Sequence, residues 1–455
     1  MKNTFTLLVV SVLFTLQAFS QEVTAPTNDS TVATIVSTLE AAESPLDTLT
    51  RAVSALMDDN MKAKRLKITG YVQPQYQYID SAGAQSFAGG DFKNGTGASA
   101  SNYFSRFTMR RGRFKFTYTY NNIILMVNID ATEKTLAMRE TYAKIIDPKW
   151  NIFSLTAGLL QAQFGYELNQ SSSERETPER ARFNQILFPT ERDLGAFGSI
   201  VIPKSSKLYG LKLDVGMMNG VAGVAPEFDN NKDFTGRLQY SKATRSERVK
   251  FDFGASGYYG GYKIGNQKDY NVNTLVSGDK GFQQNTNDTA NYNRIAKRVY
   301  IGADLQCSID WKIGITTLRA EYIQGDQPGT NASNQRANNS PGALPTTAIY
   351  HRQFNGAYFY WVQDILTSKF QVVLKYDWYD PNVKIAGKQI GVAGTGTNAG
   401  DIRFDTYGFG LNYHVNQYAK IMAYYDLVVN ENTELTGYKK DLKDNVFTLR
   451  FQIKF

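Results

Sequence analysis

Apolar and polar residues alternate with a period of two along most of the chain. In the last ten residues, Phe447, Leu449 and Phe451 alternate with Thr448 and Arg450. Such a strand presents one face to lipid and the other to water. A soluble β-sandwich alternates as well, but it rarely gathers so many aromatic residues near its strand ends, where membrane barrels carry their aromatic girdles. The pattern therefore favours strands that cross a membrane.

The alternation predicts sixteen strands, and the connections between them differ in length. Tight turns such as 120–122 contrast with long polar connections such as 261–297 and 325–354. An even strand number with short turns at one end and long loops at the other is typical of outer-membrane barrels with both termini in the periplasm. We therefore expect an all-β fold, a 16-stranded antiparallel transmembrane β-barrel over residues 66–455. The predicted strands are 66–79, 103–118, 121–131, 136–147, 151–161, 195–202, 207–218, 233–241, 247–260, 298–310, 313–324, 355–365, 369–379, 401–414, 419–430 and 444–455.

The first twenty residues have the composition of a signal peptide. Lys2 supplies a positive charge, residues 5–16 are largely apolar, and the small residues Ala18 and Ser20 precede the expected cleavage site. These are the three parts that a signal peptidase substrate needs. The alternative is a buried N-terminal helix. The sequence predicts a signal peptide over 1–20 and export of the rest.

A periplasmic helical segment is expected over residues 21–65. Apolar residues between Val32 and Leu56 recur at gaps of three and four, which is the spacing of a coiled-coil seam. Pro45 divides the pattern into two short helices, about 31–43 and 45–60. Two interpretations remain open: a coiled coil that helps the protein trimerise, and an amphipathic stretch that lies on the barrel or is left mobile.

Composition narrows the possible functions. Cys307 is the only cysteine, and His351 and His414 are the only histidines. A disulfide framework is therefore excluded, and a Cys- or His-rich metal centre is not expected. Neither histidine has the Ser and carboxylate neighbours of a hydrolase, so we expect no enzyme activity and no cofactor. The net charge of +8 is spread along the chain, without the dense basic run of a nucleic-acid-binding protein.

The segment 162–194 interrupts the alternation, being too long for a turn and too charged for a strand. A sixteen-stranded barrel encloses a wide lumen, and a charged, amphipathic insertion that folds inward would narrow it. We expect this segment to be a constriction loop; the alternative is an ordinary external loop. The loop residues expected to face the pore are Glu167, Arg175, Glu176 and Arg180.

The second predicted strand carries a cluster of basic residues. Its polar positions are even-numbered up to Arg110 and odd-numbered from Arg111, and a β-bulge at this point would turn both arginines into the lumen. A fixed positive potential in a narrow pore favours anions. The alternative is a charged wall without selectivity. The basic residues expected to line the pore here are Arg106, Arg110, Arg111, Arg113 and Lys115.

Three motifs resemble one family of porins. They are the strand with Arg110-Arg111, the sequence Phe164-Gly165-x-Glu167 followed by two serines, and the loop exit Phe188-Pro189-x-x-Arg192-Asp193-x-Gly195. The chain is similar in these motifs to the phosphate-selective porin O and P family, in the divergent form common in Bacteroidetes. The resemblance covers most of residues 66–455. It implies a sixteen-stranded barrel, usually trimeric, with an inward-folded constriction loop.

The loop departs from this family in one respect: no lysine occurs in 150–203, whereas phosphate-selective members carry lysines there. We therefore expect passive diffusion of small hydrophilic solutes with anion preference, and phosphate becomes a weaker candidate.

The expected location is the outer membrane of a Gram-negative bacterium. The expected partners are outer-membrane lipid and lipopolysaccharide, the barrel-assembly machinery through the strand ending in Phe455, and two further copies in a homotrimer. The alternatives are a barrel that mainly binds glycans or a partner and, more distantly, a secreted soluble β-sandwich.

Overall fold

The computed structural model describes residues 49–54, 57, 64–96, 100–223, 225–285, 291–335, 344–365 and 369–455. The chain divides into two units, Met1–Lys64 and Arg65–Phe455. In the first unit, residues 49–54 are helical and exposed; the predicted signal peptide and the predicted helix at 31–43 lie outside the described residues. No helix among the described residues is long and apolar enough to cross a membrane.

The described part of the second unit contains sixteen long strands. Each is antiparallel to the next along the chain. The strands are β1 (Leu66–Ile79), β2 (Ser105–Tyr120), β3 (Ile123–Ala131), β4 (Leu136–Ile146), β5 (Phe153–Gln161), β6 (Arg192–Val201), β7 (Leu211–Met218), β8 (Asp233–Ala243), β9 (Val249–Lys263), β10 (Ile295–Trp311), β11 (Gly314–Gly329), β12 (Ile349–Ile365), β13 (Phe370–Asp380), β14 (Phe404–His414), β15 (Ala419–Asn430) and β16 (Val446–Lys454).

The first and last strands close the sheet into a barrel. Strand β1 pairs with β2 on one side and with β16 on the other. The closure extends to the final residue, because Gly70 and Phe455 exchange backbone hydrogen bonds of 3.1 and 3.0 Å. The predicted fold class, a sixteen-stranded antiparallel barrel, is confirmed.

The two faces of the wall differ in chemistry as the alternation requires. In β16, Leu449 and Phe451 point outward and are 43% and 39% exposed, whereas Arg450 and Gln452 point inward and are 1% and 3% exposed. The outer face is apolar and the inner face is polar, which is the pattern of a transmembrane barrel. The small exposure of the inward side chains also means that protein occupies much of the lumen.

The connections follow the predicted asymmetry, with one exception. The turn between β2 and β3 is two residues long, with Asn121 at φ 49°, and the long connections lie at the other end of the barrel. The exception is the connection from β3 to β4, residues 132–135, which is short although it lies at the long-loop end.

Several predicted strand ends were wrong by three to six residues at the long-loop end. Strand β6 begins at Arg192 rather than 195, β10 at Ile295 rather than 298, and β12 at Ile349 rather than 355. Within the predicted loop 261–297, Asp269–Thr274 and Lys280–Gln284 form a hairpin beside β12. At this end loop residues rather than lipid cover the strands, and Ala296 and Ile349 are buried in a small apolar cluster. No apolar–polar alternation therefore marks these strand ends in the sequence.

Candidate permeation site

The connection between β5 and β6, residues 162–191, lies inside the barrel and is named the inner loop below. Its side chains and backbone contact inward-facing residues from different sides of the wall. Tyr71 of β1 lies 2.5 Å from Ser172 through their hydroxyls, and Asn412 of β14 donates to the carbonyl oxygen of Glu176 at 3.0 Å. Because β14 lies nearly opposite β5 and β6, where the inner loop begins and ends, the inner loop crosses the lumen.

An aromatic cluster holds one side of the inner loop against the wall. It consists of Phe164, Phe183 and Phe188 of the loop with Tyr258 of β9, Tyr300 of β10, and Phe354 and Tyr358 of β12. The Phe183 and Tyr358 rings are stacked at 6.1 Å, and Phe188 meets Tyr300 edge to face at 5.9 Å. Such pairs add to the burial of apolar surface. The part of the lumen next to β9–β12 is therefore filled by packed side chains.

Two carboxylates fix the path of the loop backbone. Glu321 of β11 accepts hydrogen bonds from the backbone N–H groups of Tyr166 and Glu167, both at 3.1 Å. The Glu167 carboxylate accepts in turn from the N–H of Ala181 at 2.8 Å and from the Tyr360 hydroxyl at 2.5 Å. Charged acceptors make stronger hydrogen bonds than neutral ones. Glu167, predicted to face the pore, therefore ties the two ends of the loop together.

The predicted β-bulge in β2 is confirmed. In the pairing of β1 with β2, Gln73 faces Arg111 and Pro74 faces Met109, so Arg110 is the extra residue. A bulge re-aims a side chain that would otherwise point to the other face. As a result, Arg110 and Arg111 both point into the lumen.

Glu179 at the far side of the inner loop meets both arginines and a third. Arg110 binds its two carboxylate oxygens at 2.7 and 2.8 Å, Arg111 lies at 3.2 Å, and Arg450 of β16 lies at 3.0 Å. Burial opposes ionisation of Glu179, but these three guanidinium groups hold its pKa well below the usual range. The Glu179 carboxylate therefore remains ionised.

Further ion pairs line the wall from β2 to β6. Asp130 of β3 binds Arg113 at 3.3 Å and Arg139 of β4 at 3.1 Å. On the next strands, Arg192 binds Glu140 at 2.8 Å. Glu191, where the inner loop ends, contacts Arg180 and Arg192. This wall and the facing side of the inner loop form a surface in which arginines alternate with fewer carboxylates.

The remaining predicted site residues occupy other places. Arg106 lies towards the long-loop end, where it binds Gln77 at 3.1 Å and the carbonyl oxygen of Asp91 at 2.5 Å. Lys115 is exposed towards the short-turn end. Glu176 forms a two-point ion pair with Arg319 of β11 at 2.6 and 2.9 Å; burial opposes its ionisation, but Arg319 holds its pKa below the usual value.

Arg175 is unusual among the predicted residues. The residue is 1% exposed, and none of its three guanidinium nitrogens has a hydrogen-bond partner among the described residues. Its neighbours include further cations, because Arg110, Arg111 and Arg180 line the same cavity. A buried charge without a partner is costly. The position is therefore one where an anion would be stabilised.

Three of the cavities along the wall of β1–β5 are lined by arginines of this surface. One of about 470 Å³ on the long-loop side is lined by Arg106, Arg110 and Glu179. A smaller one of about 170 Å³ lies between Glu179, Arg175 and Arg180. A third of about 370 Å³ on the short-turn side includes Arg180 and Lys115. The arginine-rich surface therefore borders open space on both sides of the inner loop.

Similar barrels occur among solved structures. OprB of Pseudomonas putida matches with a TM-score of 0.53 over 87% of this chain and 96% of that chain, at 8% identity. The fold is that of the outer-membrane porins. The outer membrane channel DcaP of Acinetobacter baumannii matches with a TM-score of 0.48 at 13% identity, over 86% of this chain and 97% of that chain. The anion-selective porin from Comamonas acidovorans matches with a TM-score of 0.48 at 9% identity, over 86% and 99%.

No family model and no curated protein matches the chain. The resemblance to the phosphate-selective porin O and P family therefore stays a prediction. The barrel fold does not depend on this resemblance. In bacteria, closed barrels with an apolar outer band lie in the outer membrane of Gram-negative cells.

Sequence reasoning missed several residues of this surface. Glu179 and Arg192 stand in the predicted loop segment but are not among the residues predicted to face the pore. Asp130, Arg139 and Arg450 lie on strands far from it in sequence. The three strand residues share one signal, since each is a charge on the inward-facing positions of its strand. Which of these charges meet depends on the path of the inner loop, and that path leaves no local signal in the sequence.

Proposed function

We propose that this protein is an outer-membrane porin through which small hydrophilic solutes diffuse passively, with a preference for anions. Its closed barrel supports a transmembrane route, and its inner loop supports a narrowed one. No covalent step is required, because filtering by charge and size suffices for such a pore.

The observation that carries the anion preference is the excess of arginine around the inner loop. Fixed positive charge in a confined, low-dielectric space raises the local concentration of anions. The arginines are Arg110, Arg111, Arg113, Arg139, Arg175, Arg180, Arg192 and Arg450, and the carboxylates they meet are Asp130, Glu140, Glu179 and Glu191.

The solute class we propose is small anions in general, with phosphate as one member. Guanidinium groups bind carboxylate and phosphate oxygens in the same two-point geometry, so the arginines alone do not single out phosphate. The absence of lysine from 150–203 removes the flexible point charges that the phosphate-selective porins carry there.

We also propose a homotrimer embedded in lipid and lipopolysaccharide. The outer face around β2–β4 supports it, because Phe107 is 84% exposed and Leu136 76% exposed, and protruding apolar side chains suit a protein contact. The closing strand β16, together with Phe455 after it, is the segment we propose for recognition by the barrel-assembly machinery.

The test is planar-bilayer recording of the purified protein under a potassium chloride gradient. We expect channels whose reversal potential indicates anion preference. In the double variant Arg110→Ala/Arg111→Ala the reversal potential should move towards that of an unselective pore. The matched control is Arg245→Ala/Arg248→Ala, which removes two exposed arginines from the turn between β8 and β9 and should leave the potential unchanged.

Two results would contradict the proposal. An unmoved reversal potential in the first variant would show that these arginines do not set selectivity. Folded protein without any channel activity would favour the alternative, a barrel that mainly binds glycans or a partner. Titration with phosphate in the same recordings separates a phosphate-binding pore, which phosphate blocks, from a general anion pore.

A further inference from the structure

The contact between Glu179 and its three arginines has the geometry of a bound ligand. Arg110 holds both carboxylate oxygens, as it would hold a free carboxylate. Arg111 and Arg450 complete a three-sided cation cluster at 3.2 and 3.0 Å. All three arginines thus form ion pairs with the same carboxylate, that of Glu179.

The surroundings favour a second negative charge beside Glu179. The cavity of about 170 Å³ that Glu179 borders is lined by Arg110, Arg111, Arg175 and Arg180. The Arg175 guanidinium is buried there without a hydrogen-bond partner among the described residues. Glu191 also lines the cavity and pairs with Arg180, so two carboxylates face four arginines there, and the space between them admits a small molecule.

The inner loop does not depend on Glu179 for its position. Glu176 binds Arg319 at 2.6 and 2.9 Å on the opposite wall, and Glu167 fixes the loop base. Arg450 also donates to the carbonyl oxygen of Pro178 at 2.7 Å, a contact that survives when the Glu179 side chain is removed. The aromatic cluster holds the other side of the loop.

We propose that Glu179 is a tethered carboxylate that occupies a binding site for small carboxylate solutes, formed by Arg110, Arg111 and Arg450 with Arg175 beside it. The inference rests on the proposed anion-preferring pore and adds a specificity-determining residue to it. A tethered group competes at a high effective concentration. A passing carboxylate therefore exchanges with Glu179 and leaves, and does not stay bound and block the pore.

The test is to add acetate, a free analogue of the missing side-chain carboxylate, to the Glu179→Ala variant. Acetate should occupy the vacated site. Chloride current through single channels is recorded while potassium acetate is added at constant ionic strength. We expect saturable block of the variant at an acetate concentration at least about tenfold lower than for the wild type. The matched control is Glu174→Ala, which removes an exposed carboxylate of the same loop, 59% exposed and paired with Lys454, and should behave as the wild type.

Folding is checked by the heat-dependent migration of the barrel on a gel. If Glu179→Ala does not fold, Glu179→Gln tests the same site with the cavity filled, and it should still gain acetate block, though less. Failure of both variants to fold would mean that Glu179 is structural and would overturn the inference. Block by sulfate without block by acetate would overturn the carboxylate class.

The wild-type reversal potential separates this inference from the proposed function. An anion-selective wild type whose Glu179→Ala variant gains no acetate block would overturn the inference alone. A wild type without anion preference would overturn the proposed function, and the inference with it.

Discussion

Replacing Phe188 by Ala should loosen the inner loop without changing a single charge. Phe188 is 2% exposed and lies where the loop leaves its short helix, Arg182–Leu187. Its ring centroid lies 5.5 Å from that of Phe164 and 5.9 Å from those of Tyr258 and Tyr300. The residue therefore joins the loop to two strands of the wall, and truncation removes all three aromatic contacts.

The expected cost follows from the burial. A Phe→Ala change at a packed site costs about 3–5 kcal/mol, because contacts are lost and a cavity remains. At ~4 kcal/mol, the equilibrium between the docked and the released loop shifts towards release by about a thousandfold. The polar anchors at Glu167 and Glu176 remain, so the loop should open transiently and the barrel should stay closed.

Single-channel recording measures the outcome. We expect Phe188→Ala to show extra current noise and brief openings of higher conductance, while the reversal potential stays that of the wild type. Phe188→Leu keeps most of the buried volume, so its current noise should stay as low as that of the wild type. Phe253→Ala makes the same truncation on the outer face of β9, at a residue 52% exposed, and should not alter the current. A Phe188→Ala channel with wild-type current noise and wild-type conductance would refute the idea that aromatic packing holds the inner loop in place.

Two further predictions concern the last loop and the seam. Burial raises the pKa of Asp444 to about 7, although the charge of Arg182 opposes this rise. The folded state therefore holds the proton more tightly than the unfolded state, whose Asp pKa is 3.8. The contribution of this group to folding stability is full below pH 3.8 and is lost as the pH rises through about 7. Proteolysis of loop 431–445 should therefore be faster at about pH 8.5 than at about pH 5.5, and equal at both in Asp444→Asn. A Cβ at Gly70 would lie 2.3 Å from the Arg113 carbonyl oxygen and 2.6 Å from the Phe455 ring, so Gly70→Val should prevent barrel closure; heat-dependent gel migration like that of the wild type would contradict this.

The strands could be predicted from the sequence because alternate residues of each strand face lipid and water, so apolar and polar residues alternate with a period of two. Within the membrane that signal is strong, and β1 was predicted with both of its ends. It fades where β11 continues to Gly329 and β12 begins at Ile349, because loop residues rather than lipid and water cover these ends, and Gln327, Ile349 and Arg352 are all buried there.

The aromatic cluster could have been anticipated in part. In β9, Phe253 and Tyr259 occupy outward positions, but Tyr258 occupies an inward position among Gly254 and Ser256. A large aromatic residue on the polar face needs something to pack against inside the lumen, which points to an inner plug. Its partner Phe188 cannot be named from this signal, because the loop reaches β9 through space and not along the chain.

The hydrogen bonds between Gly70 and Phe455 have a consequence for biosynthesis. The seam joins β1 to β16, so the barrel can close only after β16 has been synthesised. Until then β1 has a free edge, and free strand edges invite pairing with other chains. Joining segments so distant in sequence also carries the largest entropic cost of ordering. A polypeptide truncated before β16 would leave the edges of β1 and β15 unpaired, so incomplete synthesis should yield an open sheet that quality-control proteases can recognise.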